Sequence, residues 1–210
     1  MFRAVLWDFG GVILASPFEA FRHYEAEHGL PPDFIRTVNS ALPDANAWAR
    51  LERSEITPAQ FDAEFARESA AFGHEVPGAD VLALLGGEVR QEMVVALDRV
   101  KAAGLATACL TNNVSGGAGS DGDARPDVAA VMDRFDVVLE SSKLGVRKPE
   151  PAFYALACER LGVEPDECVF LDDLGVNLKP ARALGMTTIK VGDPAVAIAE
   201  LGALLGLDLS

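Results

Sequence analysis

The sequence predicts an α/β fold: a doubly wound parallel sheet with a small helical segment inserted after its first strand. Three observations carry that expectation. Short apolar runs alternate with helical periodicities through the second half of the chain, the pattern of parallel strands joined by helical crossovers. The first run, Arg3 to Trp7, stands apart at the N-terminus, and a long helical stretch follows before the alternation resumes. The runs also end abruptly in polar residues, namely Asp8, Thr111 and Asp172.

Taken in order, Arg3 to Trp7 reads as a buried strand that stops in the glycine-rich turn Asp8-Phe9-Gly10-Gly11. From Ser16 to Leu85 the pattern is helical and alanine-rich, with turn signals at Gly29-Leu30-Pro31-Pro32, Pro43-Asp44 and Gly73. Residues 1–15 and 86–210 are therefore expected to build the core, and residues 16–85 a helical insertion. Within it, Thr57-Pro58-Ala59-Gln60 combines a capping box with proline at the first helical position, which starts a helix whose apolar face carries Phe61 and Phe65. Val89, Met93, Leu97 and Val100 then recur at helical spacing until Gly104. Leu105 to Leu110 is the next strand, and the Gly/Ser/Asp-rich stretch from Ser115 to about Pro126 is expected to be a flexible surface loop. Strands at Asp136–Leu139, Cys168–Leu171 and Thr187–Val191 alternate with helices near Pro151–Leu161 and Asn177–Leu184.

Composition narrows the function. A chain of 210 residues suits one core with a subsidiary insertion, and 50% hydrophobic with 24% charged residues is the balance of a soluble globular protein. Its 18 basic and 32 acidic residues give a formal charge of −14, which repels phosphate backbones and anionic membrane surfaces; neither nucleic acid nor membrane is an expected partner. No apolar run approaches the roughly 20 residues that span a bilayer. Asp8 interrupts the N-terminal apolar stretch where a signal-peptide core would be uncharged, so a cytoplasmic location is expected. Cys109, Cys158 and Cys168 form no CxxC pair and no even framework, and are read as reduced, mostly buried hydrophobes.

In open α/β sheets, ligands bind beyond the carboxyl ends of the strands. The residues there are Asp8, Thr111, Lys148 on a following loop, and Asp172-Asp173. Carboxylates held close repel one another unless a cation or shared proton intervenes, and hard oxygen donors suit Mg²⁺. Lysine offsets the remaining charge and holds an anion, while threonine and backbone N–H groups donate to phosphate oxygens. Singly, Asp8 reads as a turn former, Lys148-Pro149 as a solvated turn and Asp172-Asp173 as a helix cap; together, at successive strand ends, they read as a phosphate-handling site with a divalent metal. Phosphoacceptor receiver domains use similar residues, but their acidic pair comes first in the chain and here it comes last.

Four segments, Asp8-Phe9-Gly10-Gly11-Val12, Leu110-Thr111-Asn112, Arg147-Lys148-Pro149-Glu150-Pro151 and Phe170-Leu171-Asp172-Asp173, resemble in order the four motifs of the haloacid dehalogenase-like hydrolases, whose core is Rossmann-like. More narrowly, Phe135 through Val191 is similar to the N-terminal phosphatase domain of soluble epoxide hydrolases. The resemblance implies that Asp8 is both nucleophile and metal ligand, that Thr111, Asn112 and Lys148 bind the phosphoryl group of a small phosphorylated substrate, and that Asp8, Gly10 (through its carbonyl) and Asp173 hold Mg²⁺. Asp172 and Asn177 would support the metal from behind it; by its own pattern Asn177 equally caps a helix. Residues 16–85 would be the family's cap.

One position departs from the family pattern. Phosphatases of this family carry an aspartate two residues after the nucleophile, and Gly10 stands there. The missing group is the general acid and base, worth roughly 10²–10⁴-fold. A second class stays open on this ground, a relative that binds a phosphorylated ligand or protein partner without turnover. Metal-independent dehalogenases usually place an aromatic residue at this position. Phosphonate-cleaving relatives need a cap lysine, and residues 16–85 contain none.

Overall fold

The computed structural model describes residues 1–113 and 125–209, so nearly all of the expected loop from Ser115 to Pro126 lies outside the described residues. Five parallel strands, β1 (Ala4–Trp7), β2 (Ala106–Thr111), β3 (Val137–Glu140), β4 (Cys168–Asp172) and β5 (Thr187–Lys190), form one sheet in the order β3-β2-β1-β4-β5. The chain winds from β1 to one edge, returns, and winds to the other, so the order reverses between β1 and β4. Trp7 lies opposite Leu171 in that pairing, and the Asp8 N–H donates to the Leu171 carbonyl at 2.8 Å. Asp8 therefore leaves the sheet level with Asp172, at the switch point where ligands bind in such folds.

Both faces of the sheet are covered. Val5, Trp7, Cys109, Val169 and Leu171 point into a cluster shared with α6 (Gln91–Ala102), α7 (Pro126–Met132) and α11 (Pro194–Leu205). Ala4, Leu6, Ala108, Leu110 and Phe170 point the other way, against α9 (Pro151–Leu161) and α10 (Gly175–Ala183). Burial on two faces is why these strands read as continuous apolar runs rather than alternating ones. Each large side chain sealed this way contributes roughly 1.5–3 kcal/mol relative to exposure. A short helix, α8 (Ser141–Leu144), follows β3.

Some boundaries differ from expectation. Val89 precedes the helix that its spacing suggested: it bridges Leu14, and the Arg90 N–H bonds the Ile13 carbonyl at 2.8 Å, so this segment is extended and α6 begins at Gln91. Helix α11 carries start and stop signals, a capping Asp193 before Pro194 and Gly206 at φ +68°, although its nearly uniform apolar sequence masks the helical period.

Between β1 and α6 run α1 (Phe18–Glu27), α2 (Phe34–Ser40), α3 (Ala47–Glu52), α4 (Pro58–Ala71) and α5 (Gly78–Ala83). They share a separate cluster that includes Phe21, Ile35, Leu51, Phe61, Phe65 and Val81. The capping box forms as its sequence predicts: Gln60 N–H donates to Thr57 Oγ1 at 3.2 Å and Thr57 N–H to Gln60 Oε1 at 2.8 Å. Trp48 packs edge-on against Phe61, with ring centroids 5.7 Å apart. The three cysteines are free and buried. No helix among the described residues is long and apolar enough to cross a membrane.

Candidate active site

Asp8 follows the last residue of β1, where the backbone turns out of the sheet, and is 7% exposed. Its Oδ1 accepts from the Phe9 N–H at 2.6 Å and lies 2.6 Å from Lys148 Nζ. Asp172 ends β4 and is fully buried. Lys148 Nζ donates to its Oδ2 at 2.8 Å, Asn177 Nδ2 reaches both carboxylate oxygens at 3.0 and 3.1 Å, and the Leu174 N–H donates to Oδ1 at 2.8 Å. Asn177 lies in the first turn of α10, and its carbonyl accepts from the Tyr154 hydroxyl at 2.8 Å. It thus orients Asp172 rather than capping the helix.

The electrostatics follow from burial. Desolvation pushes the Asp8 carboxyl well above its usual range; Lys148 pulls it down and the neighbouring aspartates push it back up. Burial disfavours the Lys148 ammonium, yet Asp172 and Asp8 outweigh it and hold the group above its ordinary value, charged. Asp173 is pushed up to about 6, by burial and then by Asp172. One ammonium therefore faces the three carboxylates of Asp8, Asp172 and Asp173, whose oxygens lie within 4.8 Å of one another.

That donor set fits a hard divalent ion. With all three carboxylates ionised, one ammonium would leave an excess of two negative charges, which a dication matches, and the donors are all oxygen. Asp172 is already bonded to Lys148, Asn177 and the Leu174 amide, so Asp8 and Asp173 are the carboxylates better placed to ligate. The loop between them is shaped for this: a Cβ on Gly11, which sits at φ +81°, would lie 2.3 Å from Asp173 Oδ2. Only glycine lets the Asp173 carboxylate pack onto this backbone. Gly10 is different, being exposed, absent from the positive-φ residues, and with nothing within 4 Å of a Cβ built on it. The left-handed residue of the glycine pair is Gly11.

Thr111 closes β2, buried, beside the Glu140 position of β3. The Asn112 carboxamide clamps the main chain of Lys148 at both ends, accepting its N–H at 2.9 Å and donating to its carbonyl at 2.9 Å. A further pair that the sequence did not mark lies next to it. Glu52, at the end of α3, is 2.6 Å from Arg147 Nε and accepts from Trp48 Nε1 at 2.9 Å and from Asn112 Nδ2 at 3.3 Å. Burial raises the Glu52 carboxyl, opposed by Arg147 and the Trp48 hydrogen bond. Arg147 adjoins Lys148 and was legible in the motif, whereas nothing in the helical pattern singles out Glu52.

Residues 2–185 match the family described as haloacid dehalogenase-like hydrolase. Acyl-CoA dehydrogenase family member 10 of Mus musculus is 38% identical over 215 residues, covering 99% of this chain and 20% of that protein. Bifunctional epoxide hydrolase 2 of the same species is 33% identical over 219 residues, covering 97% and 39%. The chain spans well under half the length of either relative. Among solved structures, a haloacid dehalogenase family enzyme from Bacteroides thetaiotaomicron, in complex with magnesium and inorganic phosphate, shares the fold with a TM-score of 0.61 at 20% identity over 92% of this chain and 96% of that one. Because the matched segment takes in the helical segment, strands β1 to β4 and the loops that carry the aspartates and Lys148, this chain belongs to the haloacid dehalogenase-like hydrolase family.

Proposed function

We propose that the protein is a Mg²⁺-dependent phosphatase-type hydrolase that acts on a small phosphomonoester through an aspartyl-phosphate on Asp8. The observation that carries this reading is the buried Lys148 ammonium, 2.6 Å from Asp8 Oδ1 and 2.8 Å from Asp172 Oδ2, beside a third carboxylate. Such a centre is electrostatically incomplete without a cation and suited to an anion once the cation is there. The Bacteroides enzyme of the same fold, complexed with magnesium and inorganic phosphate, supports the same reading.

In this scheme an Asp8 carboxylate oxygen attacks phosphorus, the bond to the leaving oxygen breaks, and that oxygen takes a proton from water. Water then attacks the aspartyl-phosphate, releasing inorganic phosphate and regenerating Asp8. Lys148 and Thr111 hold the phosphoryl oxygens, and Asn112, its carboxamide committed to Lys148, contributes through its main chain. Asp8, Asp173 and the Gly10 carbonyl would hold Mg²⁺, with Asp172 and Asn177 behind them; when bound, the ion neutralises phosphoryl charge and orients the group for in-line attack. Residues 16–85 serve as the cap that covers the site. The open space at Gly10 favours one competing reading, a protein that binds a phosphorylated ligand without turnover.

The deciding experiment is a screen of phosphorylated metabolites and one activated aryl phosphate with Mg²⁺, run beside Asp8→Asn. Turnover by wild type and its loss in Asp8→Asn is the expected result. Equal turnover in the variant would remove Asp8 as nucleophile, and binding without turnover in wild type would favour the competing reading.

A further inference from the structure

Glu52 is 5% exposed, at the boundary between the helical segment and the sheet. A buried carboxylate persists only where it is paired and hydrogen-bonded, and each of its three partners leads to the Lys148 loop or braces it. Arg147 precedes Lys148 in the chain; Asn112 grips Lys148 by its N–H and its carbonyl; Trp48 holds the second Glu52 oxygen from the helical side. Two more bonds cross the same boundary, Arg147 to the Pro43 carbonyl at 3.0 Å and the Ser54 hydroxyl to the Ser142 carbonyl at 2.8 Å. These contacts of the helical segment thus fall on α8 and on the loop after it that presents the ammonium.

We propose that Glu52 is a positioning residue for Lys148: acting through Asn112 and Arg147, it fixes the loop backbone so that Nζ sits between Asp8 and Asp172. The consequence for catalysis rests on the reading of Lys148 as the cation that holds the phosphoryl group. Lysine has a long flexible stem, so its ammonium is placed only as well as its backbone and its partners place it. A displacement of about 1 Å at such a group lowers rate by roughly a hundredfold. Docking of the helical segment then completes the site instead of merely covering it.

The variant Glu52→Gln tests this in the full chain. Trp48 and Asn112 donate to opposite oxygens of Glu52 and Arg147 pairs with its charge, so a neutral carboxamide, whose nitrogen cannot accept, removes the ion pair and leaves at least one of the two donors unmet. Two readouts apply. With Mg²⁺ and both an aryl and an alkyl phosphate, kcat/KM should fall about tenfold or more by the same factor for each, because Lys148 acts on the phosphoryl group they share. In the ¹⁵N-labelled metal-free protein, the Lys148 ammonium protons should exchange with water about tenfold faster, an effect that needs no turnover. A merely structural Glu52 would lower the melting temperature and leave ammonium exchange unchanged in the folded protein, and a Glu52 that touches the leaving group would lower kcat/KM for one substrate only; either outcome overturns the proposal. Arg147→Gln probes the same network from the sheet side and must reproduce the pattern if Glu52→Gln fails to fold. Should wild type turn over no phosphomonoester, the proposed activity fails while the exchange measurement still decides the role of Glu52.

Discussion

Lys148 reaches Asp8 at 2.6 Å, and it does so while bonded to Asp172 at 2.8 Å, so a single buried ammonium ties the end of β1 to the end of β4. These strands adjoin at the switch point of the sheet. The pairing makes Lys148 the main local compensation for two buried carboxylates, with stability and chemistry resting on the same atom.

Lys148→Met should therefore be costly on both counts. Methionine fills a similar volume, but Asp8 and Asp172 lose their buried counter-charge, a loss of roughly 3–5 kcal/mol. Urea unfolding should show a lower midpoint without Mg²⁺ and partial recovery with it, and the proposed phosphatase activity should vanish. An unchanged midpoint would mean that a shared proton already neutralises the pair.

Gly11→Ala should disable the proposed metal site without replacing any of the residues proposed to ligate through their side chains. The added methyl would sit 2.3 Å from Asp173 Oδ2, on a backbone at φ +81° that costs an L-residue about 1–2 kcal/mol. Mg²⁺ should raise the melting temperature of wild type by binding the folded site, and this rise should be absent in Gly11→Ala and in Asp173→Ala alike. A wild-type response to Mg²⁺ in both variants would place the ion elsewhere.

Gly10→Asp should fold and gain activity. A Cβ there meets nothing within 4 Å, and Gly10 is not among the positive-φ residues, so neither space nor backbone opposes the substitution. In the proposed mechanism a carboxyl group at this position would supply the proton the leaving oxygen lacks, worth up to about 10²–10⁴-fold and most for poor alkyl leaving groups. Steady-state rates on paired alkyl and aryl phosphates measure the difference. A folded, Mg²⁺-binding variant with no gain on any alkyl phosphate would show that the acid and base come from another residue.

Asp136 should make stability depend on acid. Burial works against its ionisation, but the Lys101 ammonium at 2.9 Å and the Thr107 N–H and hydroxyl at 2.8 and 2.9 Å hold its carboxyl below the usual 3.8. A lowered folded-state pKa stabilises above the unfolded value and is lost as pH falls through the folded one. Asp136→Asn should thus be less stable than wild type at neutral pH, by no more than about 1 kcal/mol for a side chain this exposed, with the difference closing below the ordinary carboxyl pKa. A difference that is independent of pH from 7 to 2 would assign the effect to hydrogen bonding alone.

Much of this architecture is written locally. Strand runs ending in Asp8, Thr111 and Asp172, the Thr57–Gln60 capping box and the Pro151–Leu161 helix are all set by neighbours in the chain, through side-chain period and terminal hydrogen bonds, and the sequence determined them within a residue or so. Even the meeting of Asp8, Lys148 and Asp172 was legible, because parallel strands of one sheet present their carboxyl ends on one edge. Tertiary structure alone decided which of two adjacent glycines carries the left-handed backbone, because Asp173, from the loop after β4, packs against Gly11 in the loop after β1. It alone paired Glu52 with Arg147: a carboxylate on a helix looks solvated until another element covers it, and no local pattern encodes which loop that element will meet.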